Sequence, residues 1–290
     1  MAGGNAAAAA SDRSTTGLLP RGLSLALVAP LVLLLAVAFL WPIAQLLWGS
    51  VFTPSATIEQ YRRILDEALY LRILARTVQT AAIVTLASFV LAYPVALVMA
   101  RQSGRRAMLL AACVLVPLWT SVLVRSYAWI VLLQRTGIVN TTLQEWGLIE
   151  EPLRLLYTEG AVIVAMTHVL LPYMVLPIYA ALRSIPPELD RAARNLGAGP
   201  WTSFRAVTLP LSLPGIYAGA IMVFILSLGF YVTPALVGGP RNLTIATLIA
   251  QQTTELLDWP FAGALAGTLL LVTLGLVAVF RRFLQFGKGR

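Results

Sequence analysis

The residue types that carry covalent chemistry are nearly missing from this sequence of 290 residues, which holds one histidine, His168, and one cysteine, Cys113. A serine–histidine–acid or cysteine–histidine set would have to use His168, which lies deep in an apolar run. A lone cysteine excludes an internal disulfide and a cysteine metal site, and a lone histidine excludes most multi-histidine sites. No Gly-x-x-x-x-Gly-Lys-Ser/Thr loop occurs, so the chain has no nucleotide site of that kind. The sequence therefore reads as no enzyme, and ATP-driven work would need a separate ATPase subunit. His168 itself reads as structural, since a neutral imidazole is satisfied by a helix carbonyl.

What remains is electrostatics and mechanics, in two places. The first is "ELDRAARNLGAGPWTSFRAVTLP", Glu188 to Pro210, a charged insert between two apolar runs. Pro186 and Pro187 suit a helix start, and Glu188 and Asp190 favour its positive end. Leu189, Ala192, Ala193 and Leu196 fall at i, i+3, i+4 and i+7 and form one apolar stripe, while Arg191, Arg194 and Asn195 face elsewhere. Gly197 sits where a left-handed cap ends a helix. Pro200 permits a second helix with Trp201, Phe204 and Val207 on one side, which Leu209-Pro210 is expected to close. The pattern predicts two short helices at an angle, joined by a glycine turn. The small residues of the stripe let another surface approach closely; the alternative is a connector lying against its own bundle.

The second place is inside the apolar runs. Arg125 is the one formal charge there, and a mid-span arginine costs about 2.5–3.5 kcal/mol on insertion scales. Three placements are open to it: snorkelling outward, facing a translocation path, or facing a partner subunit. Tyr127, Trp129, Tyr173, Phe230 and Tyr231 offer aromatic faces to a cation, although aromatics at helical spacing commonly serve packing. The runs contain no Asp or Glu, so a polycation site is not visible in this chain.

The elements that position these residues follow from composition. The chain is 59% hydrophobic and 11% charged, with mean hydropathy +0.82. Soluble domains carry about 25% charge, so this is an all-α polytopic membrane protein. Six stretches are long enough to cross: 23–48, 77–100, 107–133, 161–182, 215–237 and 261–280. An even number leaves both termini on one side. With that side cytoplasmic, the inner segments hold 13 basic and 3 acidic residues, and the outer ones 7 and 9. The short loop "RQSGRR" and the tail "RRFLQFGKGR" weigh most, so both termini and the charged insert are expected in the cytoplasm. The net charge of +9 is thereby explained without a nucleic-acid partner.

Residues 1–22 read as a disordered tail rather than a signal peptide, because the apolar run after them is too long and no small-residue cleavage site follows. The expected layout is that tail, a transmembrane domain over 23–284, and a tail over 285–290. Outside, "TIEQYRRILDEALYL" suggests an amphipathic helix, with Thr57 and Gln60 as a capping box and Ile58, Tyr61, Ile64 and Leu65 at helical spacing. Prolines at 30, 42, 94, 117, 172, 177 and 234 predict kinks.

The insert resembles the EAA loop of binding-protein-dependent ABC importer permeases: Glu-Ala-Ala, three residues, Gly, nine residues, Ile, one residue, Leu-Pro. Here Ala192-Ala193, Gly197 and Leu209-Pro210 match in register, with Val207 in the isoleucine place. Arg191 stands where the family has glutamate, so an ion pair made through that glutamate does not carry over. The stretches "VPLWTSVLVRSYAWIVLLQRTGIVN", "GFYVTPALVGGP" and "LAYPVALVMAR" are similar to the spermidine/putrescine type, and permeases for opines, phosphonates, thiamine or iron share similar text. The resemblance covers roughly 57–280. It implies a type I importer fold in the bacterial inner membrane, with a second permease subunit, two ATPase subunits that bind ATP-Mg, and a periplasmic solute-binding protein. It implies no cofactor in this chain. It also implies that Leu189, Asp190, Arg191, Ala192, Ala193, Arg194, Leu196, Gly197, Ala198, Trp201 and Phe204 meet the ATPase. A stand-alone secondary transporter would need coupling-ion ligands that the runs lack, and a membrane anchor or receptor would leave the insert unexplained.

Overall fold

A computed structural model describes residues 21–52 and 55–286. The expected N-terminal tail lies outside the described residues up to position 20, and the C-terminal one from 287 on. Among the described residues regular structure is helical, apart from one isolated bridge between Phe52 and Ala56.

The first crossing is α1 (Arg21–Leu35), a π turn (Ala36–Leu40) and α2 (Trp41–Gly49). A short α3 (Glu59–Asp66) follows, then the long α4 (Ala68–Arg101). Next come α5 (Gly104–Trp119), α6 (Val122–Leu133) and the short α7 (Ile138–Glu145). The chain crosses again as α8 (Glu159–Arg183) and turns through α9 (Pro187–Asn195). It re-enters as α10 (Pro200–Ser203), a π turn (Phe204–Thr208) and α11 (Leu209–Leu228). A last π turn (Pro234–Gly238) leads to α12 (Ile245–Thr254) and α13 (Trp259–Phe286). Among the described residues six helical stretches are long and apolar enough to span a membrane.

Two expected spans are redrawn. The run 107–133 is not one helix: it stops after Trp119, and Thr120 is extended (φ −84°, ψ 143°). Pro117 has no N–H to continue the ladder, Thr120 Oγ1 donates back to its carbonyl at 2.8 Å, and Ser121 then caps α6 by accepting from the Leu123 N–H. The run 215–237 is displaced the other way. Leu209-Pro210 does not close the second short helix; the helix runs unbroken from Pro200 to Leu228. The Leu209 N–H reaches the Phe204 carbonyl, one residue further back than in an α-helix, and this widened turn carries the chain past Pro210. The loop before α4 is also shorter than expected, so Arg72 and Arg76 lie on the opening turns of α4, where Arg76 Nη1 donates to the Arg241 carbonyl at 2.5 Å.

The core is a trio of non-consecutive helices, α4, α8 and α11. Val84, Ala96, Met174, Val175, Ile178 and Val223 are fully buried where they meet. Glycine lets α11 approach α8: a Cβ on Gly215 would sit 2.5 Å from the Pro177 carbonyl oxygen, and one on Gly219 would sit 2.8 Å from Met174 Sδ. The Tyr93 hydroxyl and Ser212 Oγ, 3.1 Å apart, hydrogen-bond α4 to α11.

At one end, α3, the first turns of α4, α12 and α13 build a smaller cluster around Ile64, Tyr70, Ile245 and Phe261. The amphipathic α3 is present, but Thr57 meets only the Glu59 N–H (3.1 Å), because its own N–H goes to the Val51 carbonyl. The capping box is therefore not formed. Tyr61 and Ile64 turn inward, whereas Ile58 and Leu65 are exposed. Arg63 lies over the Phe261 ring, 4.2 Å from its centroid, and pairs with Glu67 and Asp258.

Gly215→Val is expected to lower stability by about 1–3 kcal/mol, because the branched side chain must push α8 and α11 apart. Thermal unfolding in detergent measures this. Gly275→Val, where an added Cβ meets nothing within 4 Å, should leave the midpoint unchanged.

Candidate functional site

The charged insert is an elbow, and its parts are fixed by named bonds. Pro186 is extended and Pro187 opens α9, with Glu188 and Asp190 in the first turn. At the other end Gly197 has φ +87°, the left-handed value expected for it. The Ala198 N–H closes on the Ala193 carbonyl at 3.0 Å, the six-residue ring of a Schellman ending. A Cβ at Gly197 would meet no atom, so the requirement for glycine there is the backbone angle alone.

The two arms of the elbow are clamped. Ser203 Oγ donates to Asp190 Oδ1 at 2.5 Å, and Arg194 Nη2 meets Asp190 Oδ2 at 2.8 Å. Ser203 is only 1% exposed. The Ser203 hydrogen bond, with Arg194 adding to it, holds the Asp190 carboxyl below the usual carboxylate range. Nothing in the spacing of the two residues, thirteen apart, pointed to this clamp.

Next in line, Trp201 stacks on Phe204 (centroids 5.4 Å), and Phe204 meets Tyr93 of α4 edge-on (6.0 Å). Phe204 is half-buried against the helix trio. The elbow thus continues through α10 into α11 and touches α4 through an aromatic contact.

Its outward face is uncovered. Leu196 is 90% exposed and Trp201 71%, with Leu189, Arg191 and Ala192 also exposed. Ala193 and Ala198 are half-buried. The expected stripe therefore does not lie against its own bundle. Apolar groups of this size in the open mark a surface that meets something else.

The membrane-embedded candidates fall into two groups. Between α6 and α8, Arg125 is 8% exposed and does not snorkel: Nη1 points at the Val169 carbonyl of α8 at 3.4 Å, and Nε is buried without a partner. Nearby, Trp129 Nε1 donates to His168 Nδ1 at 3.3 Å, and the two rings meet edge to face. The Nδ1 acceptor of His168 is thus met by an indole, and the His168 ring is exposed. Tyr173 is half-buried, while Tyr127 is 54% exposed.

The second group is Phe230, half-buried, and Tyr231, exposed, in the non-helical stretch after α11. A hydrogen bond that sequence reasoning missed ties the groups together: Ser126 Oγ and Thr233 Oγ1 lie 2.9 Å apart, both buried. It links α6 to the chain beyond the break in α11. Two interrupted helices side by side, with backbone polar groups at membrane depth, are tolerated where protein or water covers them. Among the described residues no cluster of His, Cys, Asp or Glu could hold a metal ion.

An uncovered elbow continuous with a spanning helix, beneath a six-span bundle, defines a class of membrane transport subunit, and comparison places the chain within it. Residues 92–284 match the binding-protein-dependent transport system inner membrane component family, and the chain belongs to that family. It is a permease subunit of an ABC importer, a multi-pass inner membrane transport protein and not an enzyme.

More particularly, it is 37% identical over 216 residues to the spermidine/putrescine transport system permease protein PotB of Escherichia coli K12, covering 74% of this chain and 78% of that one. The Haemophilus influenzae PotB is 33% identical over 253 residues, 87% of each chain. The Escherichia coli inner membrane ABC transporter permease YdcU is 35% identical over 287 residues, 91% and 89% of the two chains. The fold is shared with a bacterial ABC transporter involved in import of the acidic polysaccharide alginate. The TM-score there is 0.73 at 19% identity, over 90% of this chain and 96% of that one.

Ser203→Ala should release α9 without unfolding the bundle. A charge-assisted hydrogen bond at a partly exposed site is worth about 1 kcal/mol, so exchange of the α9 amides should quicken about fivefold. The sign with pH follows from the depressed Asp190 carboxyl: the clamp is complete above the ordinary carboxylate range and lost as pH falls through the lowered value. Protection of α9, corrected for intrinsic exchange, should therefore hold from neutral pH down into the ordinary carboxylate range and collapse only below it.

Proposed function

We propose that this permease subunit carries a polyamine, spermidine or putrescine, inward across the bacterial membrane, and that the elbow is where it receives mechanical work. The observation that carries the mechanical part is the uncovered face of α9 and α10 on a rod continuous with α11. The substrate class rests on the PotB relatives, whose identity extends over most of the chain.

In this reading both termini and the elbow lie in the cytoplasm, consistent with the excess of basic residues in the segments on that side. A second permease subunit completes the path, and a periplasmic binding protein delivers solute from the other side. Two ATPase subunits bind ATP-Mg; no nucleotide or other cofactor sits on this chain. Leu189, Ala192, Leu196 and Trp201 make the direct contact with one ATPase, Arg191 adds a cation beside them, and Asp190, Arg194 and Ala198 keep the arms in place. ATP-driven closure of the ATPases is a rigid-body motion, and a clamped elbow passes it to α11 where a slack loop would absorb it.

Gly197→Val places a branched residue at a left-handed angle, at a cost of about 1–2 kcal/mol. Spermidine uptake in vesicles should drop about tenfold or more while the chain still inserts. In a Cys113→Ser background, Leu196→Cys should cross-link to the ATPase subunit. Wild-type uptake by the first variant together with no cross-link by the second would overturn the coupling role.

A further inference from the structure

We infer that the Arg125 guanidinium is paired, in the assembled transporter, with a carboxylate supplied by a spanning helix of the second permease subunit. The inference rests on the proposed reading that the chain works beside such a subunit and carries a cation.

Arg125 lies eight residues inside the outer end of α6, about 12 Å along the helix axis. A guanidinium offers five N–H donors. Here one contact is made, at 3.4 Å, longer than the usual N–H···O range, and Nε is buried with no partner. A carbonyl satisfies a donor but leaves the positive charge uncompensated, and an unpaired buried charge is strongly unfavourable.

Among the described residues no group of this chain meets the need. The described ion pairs all lie in the outer helix α3, its contact with Asp258, or the elbow. The spans hold no Asp or Glu away from their ends. On α8, Glu159 is ten residues before Val169, about 15 Å along the axis. Lipid does not fit the surface beside the guanidinium either, since that surface shows the exposed His168 ring next to the Trp129 indole, and ionisable side chains at this depth face protein or water.

A polyamine is itself positive and cannot pair with arginine. A carboxylate on a neighbouring helix neutralises the charge and takes a bidentate hydrogen bond from the fork. Because the spans of this chain carry no such group, a second copy of it cannot supply one. The pairing therefore calls for a different partner chain.

The test uses the complete assembly, both permeases with their ATPases, in lipid nanodiscs and proteoliposomes. Arg125→Gln should cut co-purification of the second permease and spermidine-driven ATP hydrolysis by about tenfold or more. Each Asp or Glu in the spans of the second permease is then changed to Asn or Gln. One of these changes should be as damaging alone, yet restore the Arg125→Gln assembly to within about threefold of wild type, since removing both charges leaves no buried orphan. Arg125→Lys, which keeps the charge, should retain partial assembly and so separates charge loss from misfolding. Absence of any rescuing substitution overturns the pairing, as does wild-type co-purification and spermidine-driven ATP hydrolysis in Arg125→Gln. Rescue of co-purification in an assembly that does not respond to spermidine sustains the pairing and overturns the polyamine reading instead.

Discussion

Inside hydrocarbon every backbone N–H and C=O must find its partner within the protein, and proline removes a donor wherever it occurs. The rest of this structure depends on how that constraint is met at four places. At Pro42 and Pro210 a π turn ends two residues earlier. The Trp41 N–H reaches Ala36 and the Leu209 N–H reaches Phe204, and in both cases the helix goes on. At Pro117 the helix ends two residues later, where Thr120 Oγ1 donates to the Pro117 carbonyl and Ser121 caps the next helix. Beyond Leu228 the chain is non-helical over residues 229–231, and a short helical turn then leads into a third π turn from Pro234. Stiffness and interruption are thus distributed by local chemistry: a rod from Pro200 to Leu228, and two broken crossings beside each other.

The elbow inherits its stiffness from the rod. The Ser203–Asp190 hydrogen bond ties α9 to the start of the rod, and the Arg194–Asp190 pair within α9 orients the carboxylate that accepts it. Load placed on Leu196 or Trp201 enters the first turns of the rod. The Phe204–Tyr93 contact and the Tyr93–Ser212 hydrogen bond then share it with α4. Glycines 215 and 219 bring the same rod within van der Waals contact of α8, so a displacement of one member of the trio displaces the others.

Apolar length and charge bias made the six crossings legible from sequence, and the proline pair, acidic first turn and Gly197 made α9 legible almost residue by residue. Those signals are local. The departures were at features decided by distant or alternative pairing. Leu209-Pro210 reads as a stop under ordinary i→i+4 bonding, and only the π turn at Phe204–Thr208 removes the stop. Ser203 is an unremarkable serine until tertiary folding brings it to Asp190, and Trp129 finds His168 across 39 residues. Thr57 had the right neighbour at Gln60, but the Val51 carbonyl took its N–H first. Arg125 was recognisable as an anomaly of composition, whereas its inward direction required the position of α8.

The trio at the centre has a temporal consequence. Its members are the second, fourth and fifth crossings, and the face that Met174 and Ile178 present to Gly215 and Gly219 is filled only by α11. During synthesis, then, α4 and α8 enter the bilayer before their keystone exists, and they wait with an open seam against lipid or an insertion chaperone. The elbow emerges from the ribosome just ahead of the helix that closes the seam. The elbow, proposed as the part that receives force, is made in the same moment as the part that gives it something rigid to act upon.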